Sequence, residues 1–258
     1  MGTLVWIILF CIIGGVLSVM VAGIFLLLSD AVRRRVMPPL ISFATGALLG
    51  AAFLAILPHA FSEGADVHTV SAVVLAGIMG FFLLEKLVLW RHYHAERDMD
   101  EEAHVEAARE KVPGLMVLIG DGLHNLMDGV LIAAAFLTDI HLGVVTAVAV
   151  TAHEIPQEVG DFVLLLHSGY SRRKALLFNV LSSLTTVIGG VAAYSSLSDT
   201  QRAVPYVLAV AAASFIYIAI ADLIPTLHKH TQPRVTLQQL AMITLGILLI
   251  GGTHAALH

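Results

Sequence analysis

The chain is written in apolar runs about as long as a bilayer is thick. A helix of about 20 apolar residues crosses hydrocarbon, and runs near that length recur from one end of the sequence to the other. They fall roughly at Leu4–Leu28, Pro39–Phe61, Val70–Trp90, Pro113–Leu137, Leu142–His167, Ala175–Leu197, Val204–Leu227 and Leu237–His254. The alternating segments of about ten residues that mark a membrane barrel are not indicated. Of the 258 residues, 58% are hydrophobic and 13% charged, against about 25% charged in a soluble domain. The expected fold is all-α: a polytopic membrane helix bundle of about eight transmembrane helices, forming one domain over residues 1–258. The first run begins near Met1 and continues without a clear small-residue cleavage site, so it is read as a retained span. The single Cys11 leaves no disulfide framework. A net charge of −5 without a basic block gives no reason to expect nucleic acid as a partner.

Orientation follows from the basic residues. Arg33–Arg35, then Arg91, Arg97, Arg109 and Lys111, then Arg172, Arg173 and Lys174, then Lys229 and Arg234 fall in the loops after spans one, three, five and seven. The alternate loops hold only Arg202. Lys86 is close enough to the end of its span to snorkel. The basic side is read as cytoplasmic, which places both termini outside. The longest loop, about His92 to Val112, mixes His92, His94 and His104 with many acids. It reads as a solvated acidic segment, or as a weak Zn²⁺-binding one.

Against this background the ionisable residues inside the spans stand out. Asp121, His124 and Asp128 share one face of span four at about 100° per residue, with Asn125 on its edge. His153, Gln157 and Asp161 line one face of span five, with Glu154 and Glu158 on its flank. A charged group at the bilayer centre costs about 3 kcal/mol even on the gentlest scale. These stripes therefore face each other or a cation. Imidazole with carboxylate suits Zn²⁺, Fe²⁺ and related first-row ions. Calcium and magnesium sites are built from oxygen, and the lone cysteine disfavours Cu(I). The alternative is a satisfied polar network without metal. Pro156 has no N–H and frees the carbonyl of Ala152, which predicts a kink one turn from His153. His59 is either an outer-mouth ligand or an interfacial histidine. Glu85 reads as an ion pair with Lys86 or an end anchor, and Asp222 as site-related or as a helix cap.

His124-Asn125-x-x-Asp128-Gly129 and His153-Glu154-x-Pro156-x-Glu158-x-Gly160-Asp161 resemble the paired signatures of the ZIP (Zrt/Irt-like) metal transporters. The resemblance is closest to the branch with histidine-containing loops. Leu57-Pro58-His59-Ala60 and Ala221-Asp222-Leu223-Ile224-Pro225 resemble that branch as well. The resemblance implies a transporter and not an enzyme. Zn²⁺ would be the transported substrate, sometimes Fe²⁺, Mn²⁺ or Cd²⁺, carried toward the cytoplasm by alternating access. It implies that spans one, four, five and six slide against spans two, three, seven and eight. It also implies a homodimer in the lipid bilayer of a plasma or inner membrane. By position, the primary site would use His124, Asp128, His153 and Gln157, with Asn125, Glu154 and Asp128 bordering a second. Together with Glu158, these are the candidate metal ligands. Two departures matter: many relatives carry histidine where this chain has Gln157, and two-metal relatives carry a glutamate near Thr186. No organic cofactor is expected. No glycine-rich phosphate loop with its lysine is visible, so no ATP use is expected.

Two rivals are weighed. One is a proton-coupled carrier of an organic ion. The other is an intramembrane zinc-dependent hydrolase, because His153-Glu154-Ile155-Pro156-Gln157 is one residue from the HExxH pattern. Gln157 breaks that pattern, and Pro156 disturbs the register its two histidines would need.

Overall fold

The computed structural model describes residues 2–62, 65–97, 112–197, 200–229 and 232–257. Among the described residues there is no strand. Eight long helices follow one another: α1 (Thr3–Phe25), α2 (Ala31–Ser62), α3 (Val67–Arg97), α4 (Val112–Thr138), α5 (Ile140–His167), α6 (Arg172–Leu197), α7 (Val204–Leu227) and α8 (Pro233–Leu257). Six of them are long and apolar enough to cross a membrane. The other two, α4 and α5, have 27 and 28 residues, but their hydropathy is diluted by the aspartates, glutamates and histidines already singled out. The protein is a multi-pass integral membrane protein.

Two boundaries differ from the sequence reading. Arg33, Arg34 and Arg35, expected in a loop, lie in the first turns of α2, with Pro38 and Pro39 inside the helix. The apolar run had placed the start of this span at Pro39. Instead the chain turns helical directly after Ser29, whose backbone is extended. α3 likewise runs past Trp90 to Arg97. The acids and His104 of residues 98–111 lie outside the described residues, as do the side chains of His92 and His94.

A single residue, Asp139, separates α4 from α5. Its carboxylate accepts from the backbone N–H of His141 at 2.8 Å and of Leu142 at 3.1 Å, capping α5. So short a link forces the two helices into an antiparallel hairpin. His124 is 15 residues before Asp139 and His153 is 14 after it. At 1.5 Å per residue both histidines stand about 22 Å from the turn. They are therefore level. Asp139→Ala removes the cap and should lower stability by about 1 kcal/mol, whereas Asp139→Asn should retain most of it. Thermal unfolding of the purified protein in detergent checks this. At the other end of α5, Gly169 adopts φ 77°, and the Tyr170 N–H reaches back to the Leu165 carbonyl at 3.1 Å. That is a glycine-dependent C-terminal cap.

Two close crossings organise the bundle. α4 lies on α6 so tightly that a Cβ on Gly129 would stand 1.9 Å from the Thr186 carbonyl oxygen, and one on Gly189 would stand 2.0 Å from that of Leu126. α2 and α8 meet the same way, Gly46 against Ile243 and Gly246 against Phe43. Small residues permit such backbone contact between membrane helices. Around these crossings, α1 packs on α4, α5 and α6, and α3 packs on α7. The hairpin α4–α5 then meets α2 and α7 across the middle of the molecule.

Three helices contain a π-turn: Ile13–Leu17 in α1, Ala51–Ile56 in α2 and Ile218–Leu223 in α7. The one in α7 contains Asp222, the acid expected to be site-related or a cap. Hydroxyls within the helices bond to the carbonyl one turn back: Ser42 to Pro38, Thr45 to Ile41 and Thr151 to Ala147, each at 2.8 Å. These three hydroxyls are satisfied within their own helices.

Candidate metal centre

The level histidines of the α4–α5 hairpin come into contact. His124 Nε2 and His153 Nε2 are 3.2 Å apart. Asp128 and Glu154 close the group: Asp128 Oδ2 lies 3.3 Å from His153 Nε2 and 3.8 Å from His124 Nε2. Glu154 Oε1 lies 3.3 Å from His124 Nε2 and 3.7 Å from His153 Nε2. The four ligand atoms all fall within 4.8 Å of one another. His153, Asp128 and Glu154 are fully buried, and His124 is partly so.

The donor chemistry of this quartet suits a cation. His153 Nδ1 faces the Ala149 carbonyl at 3.1 Å, a contact that needs the proton on Nδ1. In the neutral ring, Nε2 is then a lone pair directed into the group, the arrangement usual for ligating histidine. Both oxygens of Asp128 and both of Glu154 lack a hydrogen-bond donor among the described residues. Lone pairs and unpartnered carboxylates thus point at one another in a buried space. The distances fit an ion at the centre. With Zn–N and Zn–O bonds of about 2.0–2.2 Å, the edges of a tetrahedral ligand shell are about 3.3–3.6 Å. The five ligand–ligand distances given above run from 3.2 to 3.8 Å.

The remaining candidates are placed differently. Asn125 is fully buried but turned away from the quartet. Its Nδ2 donates to Asp121 Oδ1 at 2.9 Å, and its Oδ1 accepts from the Thr186 hydroxyl at 2.7 Å. Asp121 is held in turn by Ser182 at 2.5 Å. Gln157 is half-buried and within hydrogen-bonding reach of Asp121. Glu158 is buried one turn beyond Glu154 and lies outside the quartet. α5 runs as one helix through Pro156. His59 directs Nδ1 to the Ala55 carbonyl at 2.9 Å. Glu85, expected to pair with Lys86 or anchor a helix end, instead accepts a hydrogen bond from the Tyr217 hydroxyl on α7. The Lys86 ammonium sits 5.8 Å from the Phe82 ring centroid.

Two contributors were missed in the sequence. They are the hydroxyls Ser182, Thr185 and Thr186 on α6, and Phe215 on α7. Two of the hydroxyls position the acid and amide beside the site, and Thr185 bonds the Gly122 carbonyl at 2.6 Å. Their spacing with Asn179, i, i+3, i+6 and i+7, already traces one polar stripe. Phe215 of α7, buried and edge-on to His153 with ring centroids 6.0 Å apart, carries no comparable signal.

A many-helix membrane protein with two imidazoles and two carboxylates closed around one buried point belongs to the divalent-metal-handling class of membrane proteins. Comparison with known proteins is specific. A family model described as "ZIP Zinc transporter" matches residues 91–253. Zinc transporter ZIP13 of Pongo abelii is 31% identical over 264 residues, covering 93% of this chain and 76% of that protein. Zinc transporter zipt-7.2 of Caenorhabditis elegans is 30% identical over 82% of this chain, which spans 56% of the nematode protein. Human zinc transporter ZIP4 is 42% identical over 120 residues, 46% of this chain and 18% of that protein. The chain belongs to the ZIP zinc transporter family. It is a transporter of divalent metal ions and not an enzyme, and the hydrolase reading falls. The HExxH comparison fails structurally as well: the second imidazole comes from His124 on the neighbouring helix, not from the position of Gln157.

Proposed function

We propose that this protein carries Zn²⁺ toward the cytoplasm by alternating access, with His124, Asp128, His153 and Glu154 as the ligands that replace the ion's water. The observation that carries this reading is the near-tetrahedral spacing of two imidazole nitrogens and two carboxylate oxygens in a largely buried group. Relatives named as zinc transporters favour zinc as the substrate. Fe²⁺, Mn²⁺ and Cd²⁺ satisfy the same ligand chemistry. The quartet rides on the α4–α5 hairpin, locked to α6 by the glycine crossing and capped by Phe215 of α7. Movement of α1, α4, α5 and α6 as a unit against α2, α3, α7 and α8 would expose it to one side and then the other. The distribution of Lys and Arg supports outer termini, and a dimer in a cell membrane completes the reading. In this arrangement Asn125 and Gln157 are positioning residues, because their amides are engaged with Asp121, and for Asn125 also with Thr186.

Carboxylate and imidazole must be deprotonated to hold metal. Protons therefore compete with the ion as pH falls. Uptake of Zn²⁺ into proteoliposomes of defined orientation, measured with competing metals, tests the proposal. Uptake should fall as the medium is taken from about pH 7.5 to about pH 5, because protons compete with the ion for its ligands. A rate unchanged across that range, or flux indifferent to which divalent ion is present, would contradict the ligand set.

A further inference from the structure

The His153 ring has both nitrogens engaged, Nδ1 with the Ala149 carbonyl and Nε2 with the quartet. Its flank is taken by an aromatic side chain from another helix. Phe215 of α7 stands edge-on to the imidazole with ring centroids 6.0 Å apart, their planes inclined by 62°. Phe215 is the largest of the fully buried side chains described. The site it adjoins is dry on this side. Asp128 and Glu154 have no exposed surface, His153 has 1%, and only His124, with 20% of its side chain exposed, is open. α7 packs against α4, yet no side chain of α7 belongs to the quartet. The helix that walls the site is one that supplies it no ligand.

Such a wall bears on which ion can stay. Zn²⁺ has no geometric preference from its d-electrons and is content with four ligands. Mn²⁺ and Mg²⁺ hold six, most of them oxygens. In this centre the protein offers four, so an ion that keeps six must complete its shell with two waters. A buried water persists only with two to four polar partners, and a phenyl ring supplies none. The hydrophobic shell around a metal site therefore sets how much water reaches the ion.

Resting on the transport reading above, we propose that Phe215 is a specificity-determining residue: packed on His153, it denies the bound ion additional waters and so favours four-coordinate ions such as Zn²⁺ over six-coordinate ones such as Mn²⁺. It touches a ligand and is not one itself. The donor set alone does not make this choice, because imidazole and carboxylate serve several first-row ions. Exchanging Phe215 for a small polar side chain leaves all four ligands in place and changes how many waters can join them. Water entering the gap finds polar partners in the new side chain and in the carboxylates of the quartet. An ion that wants six ligands gains from this, and Zn²⁺ gains little.

Co²⁺ bound to the purified full chain in detergent tests this, because four-coordinate Co²⁺ absorbs visible light strongly and six-coordinate Co²⁺ weakly. Wild type should show the strong absorption and lose it when Zn²⁺ displaces the Co²⁺. Phe215→Ser should bind the same number of ions with an absorption several-fold weaker. In competition, its preference for Zn²⁺ over Mn²⁺ should shrink about tenfold, the scale on which the surroundings of a metal ligand act. Phe215→Leu, which keeps the wall apolar, should match wild type in both readouts. A role in packing alone would lower the yield and thermal midpoint of Phe215→Ser and leave its spectrum and its Zn²⁺-to-Mn²⁺ preference unmoved. That result would overturn the proposal. Weak absorption by wild type would overturn the four-ligand quartet instead, so the two failures are distinguishable. If Phe215→Ser does not fold, Phe215→Val, too short to reach the imidazole, decides by the same spectrum. Weakened absorption upholds the wall, and wild-type absorption refutes it.

Discussion

Replacing His153 by alanine should reduce Zn²⁺ uptake at least about a hundredfold, since even an outer-shell partner of a metal ligand is worth 10–100-fold. Folding should survive the change. His153 is buried, yet its ring makes one backbone hydrogen bond, to Ala149, and its Nε2 faces only the quartet. The variant leaves a cavity beside Phe215 and two carboxylates that have lost their common neighbour. The ion suffers more than the helix bundle, because three ligands no longer surround it. Gln at the same position, which restores bulk without an imidazole, should recover stability but little flux. Uptake near the wild-type rate in a well-folded His153→Ala protein would remove His153 from the site.

The largest structural effect is expected at the crossing of α4 and α6. Gly129→Ala places a methyl 1.9 Å from the Thr186 oxygen and 2.7 Å from the Gly190 nitrogen. Both are backbone atoms, so neither can rotate aside. Overpacking a core costs about 1–3 kcal/mol, and an immovable backbone neighbour puts this site at or above the upper end. The consequence reaches function, since Gly129 follows Asp128 directly and His124 lies on the same helix. Separating α4 from α6 also breaks the Asn125–Thr186 and Asp121–Ser182 bonds that orient the polar face. Gly129→Ala should therefore lower both the yield of monodisperse protein and the uptake per folded molecule. Gly189→Ala, which meets the Leu126 oxygen at 2.0 Å, should behave alike. Ala substitution at Gly160, where a Cβ would meet nothing within 4 Å, provides the contrast and should be tolerated.

Much of this was readable from residue order, for definite reasons. Acids and imidazoles inside apolar helices are too costly to be incidental, so their spacing announced one shared face. Asp139, alone between two helices, fixes the hairpin and so brings His124 and His153 level. Other features left no such trace. Gln157 and Glu154 are both within a turn of His153, yet the Gln157 amide reaches Asp121 while the Glu154 carboxylate joins the quartet, a division that spacing does not announce. Asn125 sits beside His124 in sequence, but Thr186 takes its oxygen. The π-turns in α1, α2 and α7 widen the helix by inserting a residue, and no side-chain type marks that insertion. The start of α2 ahead of Pro38 and Pro39 was not legible either, since a tandem proline inside a helix is locally unfavourable.

X-ray absorption at the zinc edge, on full-length protein loaded with one equivalent of Zn²⁺, addresses the metal centre most directly. The geometry of His124, Asp128, His153 and Glu154 requires a four-coordinate shell of two imidazole nitrogens and two carboxylate oxygens at about 2.0–2.2 Å, with one imidazole lost in His153→Ala. A six-coordinate, all-oxygen shell, unchanged by that substitution, would contradict it.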